Sequence, residues 1–236
     1  KAEIPAFSSK DLSLFHAENL NFSLPKTEVA AQGMLDNGYR LLKLSQVTLS
    51  ADDVKTTLSG NLDFAQKPFT ADLQASTNFF NLSGKETYYK DIGQYKLTGQ
   101  ASLAAHLLRN NGKYELPLFT AQAKNVSGLF YGFKAAQVSG EFQAKQNFAD
   151  LYARTTDGKV TVHKSVFDKL NLSASWRKGN LYAYIASTEL NNVPFKMSLS
   201  VNNLKSARRK IRTSIYWKDL DPLAFIDTVK DFVTVI

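Results

Sequence analysis

Apolar side chains recur at every second position along most of this chain. The clearest runs are Leu58, Gly60, Leu62, Phe64, then Phe69, Ala71, Leu73, Ala75, then Ala101, Leu103, Ala105, Leu107. The second half continues with Val138 to Ala144, Leu170 to Trp176, Leu181 to Ile185, Val193 to Val201 and Ile211 to Trp217. Serine, threonine, lysine and glutamine fill the alternate phase. Successive side chains on a strand point to opposite faces, so each run predicts a half-buried antiparallel strand. Asn37-Gly38, Asn111-Gly112, Asp157-Gly158 and Lys178-Gly179 are the hairpin signals, because glycine supplies the positive φ that tight turns need. About a dozen or more strands of ordinary length fit between them. The best internal helix candidate, Glu28 to Leu35, is short. One helix is expected over 221–235, with Asp221 as N-cap, Pro222 at the first helical position and Leu223, Ile226, Val229, Phe232 and Val233 on one face.

A loose repeat is superimposed on the alternation. An apolar residue, then Ser or Thr, then Gly occurs at Leu58-Ser59-Gly60, Leu82-Ser83-Gly84, Leu97-Thr98-Gly99, Val126-Ser127-Gly128 and Val138-Ser139-Gly140. The uneven spacing excludes a strict solenoid period. Such glycines permit bends or bulges in a curved sheet, or close approach of a ligand.

Composition narrows the chemistry. The 236 residues contain no cysteine and only 3 histidines, which removes disulfide scaffolds, thiolate metal sites and cysteine nucleophiles. His16, His106 and His163 lie far apart without a carboxylate at ligand spacing. Asp52-Asp53 reads as a turn, since neighbours on a strand point apart. No nucleophile elbow or phosphate-binding glycine loop is present. The expectation is a protein without catalysis, cofactor or metal. No apolar run approaches the ~18 residues of a membrane helix, and a chain beginning at Lys1 reads as a mature or excised piece. The net charge is +8, yet Lys205, Arg208, Arg209, Lys210 and Arg212 supply most of it; without them 24 basic residues face 21 acidic ones. If 207–217 is a strand, Arg208, Lys210 and Arg212 share one face, while Arg209, Ile211, Ile215 and Trp217 share the other. The cluster is either a solvated strand face or a contact for anionic head groups, with Lys205, Arg208, Lys210 and Arg212 as candidates. Nucleic acid is not expected, because the aromatic residues are read in the apolar phase rather than as open stacking platforms.

Two stretches carry a family resemblance. Tyr39 to Gly84 reads GYRLLKLSQVTLS, VKTTLSGNLDF and KPFTADLQASTNFFNLSG, and Thr156 to Phe225 includes TDGKVTVHKSVFDKLNLSASWRKGNLYAYI and DLDPLAF. Together they resemble the AsmA-like and TamB-like proteins of bacterial envelopes. The resemblance implies a mainly β fold, a long twisted antiparallel sheet curled into an open, taco- or C-shaped groove, with the short C-terminal helix. It implies one elongated domain over 1–236, in the periplasm and tethered to the inner membrane in the full-length protein. It further implies phospholipid or another acyl lipid as partner, possible envelope protein partners, and a role in outer-membrane homeostasis. Candidate groove-facing residues are Leu58, Leu62, Phe64, Phe69, Leu73 and Leu103 in the first half. In the second half they are Phe142, Leu172, Trp176, Phe195 and Ile215. Ordinary core packing is the simpler explanation of the same residues. The rival architectures are a sandwich or solenoid that binds protein, and an outer-membrane barrel.

Overall fold

A computed structural model describes residues 2–12, 16–17, 22–23, 27–36, 38, 40–85, 90–130, 133–162, 164–203, 209–217 and 223. The alternating pattern folds as expected into strands. They are β1 (Ala2–Leu12), β2 (His16–Ala17), β3 (Phe22–Ser23), β4 (Thr27–Asp36), β5 (Leu41–Ala51), β6 (Val54–Asp63), β7 (Thr70–Thr77) and β8 (Phe80–Asn81). A 3-10 turn over Lys90–Tyr95 precedes β9 (Thr98–Asn110), β10 (Lys113–Phe130), β11 (Phe133–Lys145) and β12 (Asp150–Val162). The chain continues through β13 (Ser165–Arg177), β14 (Asn180–Leu190), β15 (Val193–Asn202) and β16 (Lys210–Trp217). The order β1-β4-β5-β6-β7-β9-β10-β11-β12-β13-β14-β15-β16 forms a large antiparallel sheet that is not closed, with β8 on β9 and a separate β2-β3 pair. An open strand order is not that of a closed barrel. The helix expected over 221–235 lies outside the described residues apart from Leu223. The segment weighed as a helix, Glu28 to Leu35, is instead the interior of β4, paired on one side with β1 and on the other with β5.

The chain divides into two compact units. The first comprises Lys1–Gly93, Ala101–Ala121 and Ala144–Phe148, and the second Gln94–Gln100, Gln122–Gln143 and Ala149–Ile236. In the first unit, Asn111-Gly112 makes the expected turn between β9 and β10, with φ of 50° and 76°. Asp52 also turns the chain, at φ 51°. Asp53 accepts hydrogen bonds from the Asn81 N–H at 2.6 Å and the Lys85 ammonium at 2.5 Å. Gly60, in the repeat, adopts φ 140°, and a Cβ there would fall on the Asp72 carbonyl oxygen of β7. Opposite it, β5 carries a bulge between Leu44 and Val47. The glycine therefore permits close strand approach at a register shift.

The second unit corrects one turn and explains the repeat. Asp157-Gly158 is not a hairpin but lies inside β12. Its glycine is needed because a Cβ would collide with Val138. The unit's turns use Lys178-Gly179, as expected, and also Asn191-Asn192, with φ of 50° and 68°. Asparagine reaches the left-handed region at low cost and replaces glycine there. In the repeat, the residue just before the apolar position is left-handed at Lys96, Asn125 and Gln137, with φ of 47°, 50° and 53°. At two of these positions the repeat serines bond reciprocally to the backbone. The Asn125 N–H donates to Ser139 Oγ at 3.0 Å, and the Gln137 N–H donates to Ser127 Oγ at 2.8 Å. The motif is thus a paired bulge in which a hydroxyl replaces a missing carbonyl.

Two predictions follow from these contacts. Ser127→Ala and Ser139→Ala should each cost about 1 kcal/mol. Because both serve one bulge pair, the double variant should show a coupling of about 0.5 kcal/mol or more in urea unfolding. Asp53 is held below the ordinary carboxylate range, first by its hydrogen bond to Lys85 and then by the Asn81 N–H. A depressed carboxyl pKa contributes stability above its unfolded value and loses it as pH falls through the folded value. Asp53→Asn should therefore cost about 1 kcal/mol at pH 7, discounted for exposure, and nothing in strong acid, as read from unfolding midpoints across pH.

Candidate functional site: two chemically distinct faces

Residues directly opposite on neighbouring strands share a face, so the register assigns the faces. In the first unit one row runs Leu35, Leu42, Leu62, Ala71, Arg109 across β4, β5, β6, β7 and β9. The next runs Gly33, Leu44, Gly60, Leu73, Leu107, and a third runs Ala31, Val47, Leu58, Ala75, Ala105. The candidates Leu58, Leu62 and Leu73 are thereby brought together on one apolar face, all half-buried. Leu103 lies on the same strand face and is 37% exposed. Phe64 and Phe69 pack at 5.6 Å between ring centroids at one end of these rows.

Arg109 stands beside them, in the apolar phase of its strand. Its guanidinium lies 3.7 Å from the Phe69 ring centroid and 5.3 Å from that of Tyr114. Its Nη1 donates to the Phe69 carbonyl at 2.8 Å, and its Nε is buried without a partner. The aromatic faces offset the cation's desolvation. The sequence signal was available: one arginine continuing the phase of Ala101, Leu103, Ala105 and Leu107.

The second unit has a corresponding apolar face. Leu172, Ile185, Met197 and Ile215 form one row, and Leu151, Trp176, Leu181, Val201 and Ile211 another. Ile211 and Ile215 are 62% and 45% exposed, whereas Leu172 and Trp176 are half-buried. Phe142 is half-buried in β11. Phe195 is different, being 5% exposed within a cluster with Phe167 and Leu190. Its ring meets Phe167 at 6.1 Å and Trp217 at 5.6 Å, both edge-on. That residue is core packing, while the others leave part of their surface open.

On the opposite face of the second unit only the basic positions of β16 were anticipated. One row there is Tyr152, Ser175, Tyr182, Ser200, Arg212, and the adjacent row is Arg154, Ser173, Tyr184, Ser198, Ser214. All of these side chains except Arg154 border a shallow depression of about 300 Å³. Tyr182 and Tyr184 occupy the polar phase of a run whose apolar phase is Leu181, Ala183 and Ile185, so not all aromatic residues follow the apolar phase. Of the head-group candidates, Lys205 and Arg208 lie outside the described residues. Lys210 and Arg212 are exposed on β16, across the sheet from the apolar rows.

Of the histidines, His16 lies in β2, His163 is outside the described residues, and His106 Nε2 sits 2.8 Å from Asp72 Oδ1 on the polar face of the first unit. No group of three or more metal-ligating side chains occurs among the described residues. Compared with known proteins, the chain matches no family model, no curated protein and no solved structure.

The contrast between packed and open positions is measurable. Phe195→Ala should cost about 3 kcal/mol or more. Ile215→Ala on the exposed edge strand should cost less than about 1 kcal/mol in the same urea titration.

Proposed function

We propose that the chain is a non-enzymatic, lipid-handling segment of a bacterial cell envelope. Its apolar faces bind phospholipid acyl chains in the periplasm, in support of the outer membrane, within a protein tethered to the inner membrane. The observation that carries this reading is the set of contiguous leucine rows in the first unit. Leu58, Leu62 and Leu73 lie on adjacent rows yet are only half-buried. Each apolar side chain withdrawn from water contributes about 0.8 kcal/mol per methylene. A row of partly wetted leucines retains some of that free energy for a ligand. An acyl chain laid along such rows gains on the order of 10 kcal/mol gross, before the costs of ordering and desolvation. No single residue dominates such a site, which agrees with a sequence lacking a sharp motif. The resemblance of Tyr39 to Gly84 and Thr156 to Phe225 to AsmA-like proteins points the same way.

One observation favours a second reading, a protein-binding β module of the envelope. Strand β16 ends the sheet order, and residues 210–216 are all exposed. Among the described residues no strand pairs with its outer side, and such an edge can take up an added strand.

Native mass spectrometry and solvent extraction of the purified chain distinguish the two. The lipid reading expects co-purifying phospholipid, or saturable binding of a fluorescent fatty acid. Leu58→Thr combined with Leu73→Thr should weaken that binding severalfold while the far-ultraviolet spectrum stays unchanged. A chain that carries no lipid and binds no acyl probe would overturn it.

A further inference from the structure

We infer that the tyrosine–serine face of β12 to β16 is a binding surface for an acidic polysaccharide. The inference concerns the face opposite the apolar rows and does not rest on the lipid reading.

Three features converge there. First, Tyr182 and Tyr184 are 47% and 50% exposed in the middle of a strand, on a face otherwise floored by small side chains. A phenol ring offers a flat apolar surface with a polar tip and loses little entropy on binding. That combination suits the apolar face of a sugar ring flanked by its hydroxyls. Second, the floor of the depression carries five serines, at 173, 175, 198, 200 and 214. Each hydroxyl both donates and accepts, and its rotor adapts to the partner, which complements a polyol.

Third, the charge is one-sided. Arg212 borders the depression and makes no ion pair among the described residues. Arg154 lies on the same face beside Ser173, and Lys196 and Lys210 lie beside Tyr216 and Asn202. Acids on this face, Asp150, Asp168 and Glu189, are each paired with a basic side chain, Arg177 at 3.3 Å, Lys159 at 3.5 Å and Lys169 at 2.6 Å. From Asn191 to Trp217 the chain contains six basic residues and no acidic one. A surface so charged selects a carboxylate- or phosphate-bearing chain over a neutral one.

The first unit provides an internal contrast. Its polar face also has a hydroxyl-bearing depression, bordered by Thr57, Ser59, Ser76 and Thr120. That depression has no tyrosine and no arginine, and its His106 is engaged with Asp72. Hydroxyls are thus general to these sheets, and the rings and guanidinium are specific additions in the second unit. Single-stranded nucleic acid would call for a run of cations along a backbone track. Here Arg154, Lys196, Lys210 and Arg212 are spread over three strands around a floor of serines, which fits a sugar chain better.

Isothermal titration of the full chain with polygalacturonate oligomers, neutral dextran and oligo(dT) tests the assignment. Saturable binding of polygalacturonate is expected, with dextran at least tenfold weaker. Tyr184→Thr and Arg212→Gln should each weaken binding about tenfold, while Lys43→Gln in the first unit should leave it unchanged. Arg212→Gln, at an exposed edge position, carries the test should Tyr184→Thr lose its fold. Absence of binding, tighter binding of oligo(dT), an unchanged affinity in folded Tyr184→Thr, or an equal loss in Lys43→Gln would each overturn it.

Discussion

Backbone hydrogen bonding between successive antiparallel strands is the interaction on which the rest of this protein rests. Side-chain burial is secondary: among the described residues the buried apolar side chains are Ala71, Ala144, Val162, Phe167, Leu170, Leu190, Phe195 and Val201. A sheet stabilised mainly through its ladders tolerates few unpaired backbone groups. That constraint explains the polar residues at its irregularities. Ser127 and Ser139 close facing bulges. Thr155 does the same beside the left-handed Lys169, accepting from the Leu172 N–H at 3.0 Å and donating to the Leu170 carbonyl at 3.2 Å. At strand ends asparagines imitate a peptide group. Asn78 pairs in this way with Lys55, and Asn191 with Val166.

The same constraint leaves both faces available. In the first unit one face carries leucine rows and the other carries hydroxyls, amides and the His106–Asp72 pair. In the second unit the division is repeated with tyrosines and arginines on the polar side. A fully buried leucine contributes roughly 1.5–3 kcal/mol, and half-buried ones contribute correspondingly less. The free energy not realised in folding remains open to a ligand. Occupying it with an acyl chain would make the apolar face both binding site and incipient core, and ligand binding would then stabilise the native state by mass action.

Legibility in the sequence followed the physics of each element. Alternation revealed most of the strands because one face is apolar and the other is not. It failed for β10, where Leu116, Pro117, Leu118 and Phe119 are consecutive apolar residues and present no alternation. It also failed for β4, whose short apolar spacing mimicked a helix. Glycine marked turns at 111–112 and 178–179 but misled at 157–158, where close approach of Val138 rather than a turn excludes a side chain. The apolar candidates were readable as a face, because phase alone assigns it. Their exposure was not, since Phe195 and Ile215 belong to similar alternating runs yet differ between 5% and 45% exposed. That difference comes from the strands beside each residue. The tyrosine–serine face was hidden because its members lie on five strands and meet only through register.

A bulge in β14 shows how one strand serves both a packed cluster and a more open face. Between Ile185 and Thr188 the register shifts, so the residues beyond it are reassigned between faces. Thr188 is thereby placed on the apolar side, 5% exposed, and its hydroxyl is satisfied by the Asp168 carbonyl at 2.7 Å. On one side of the shift lie Phe167, Leu190 and Phe195, close-packed and edge-on. On the other lie Ile185 and Met197, partly buried against that cluster, and then Ile215, 45% exposed on the last strand. A sheet packed along its whole length would hold no apolar surface for a ligand, and one open along its whole length would have only its ladders to oppose chain entropy. Confining dense packing to one end of the strands resolves that conflict. The bulge marks the boundary, and the tyrosines at 182 and 184 stand just before it on the opposite face, where the backbone beneath them is held by uninterrupted pairing on both sides.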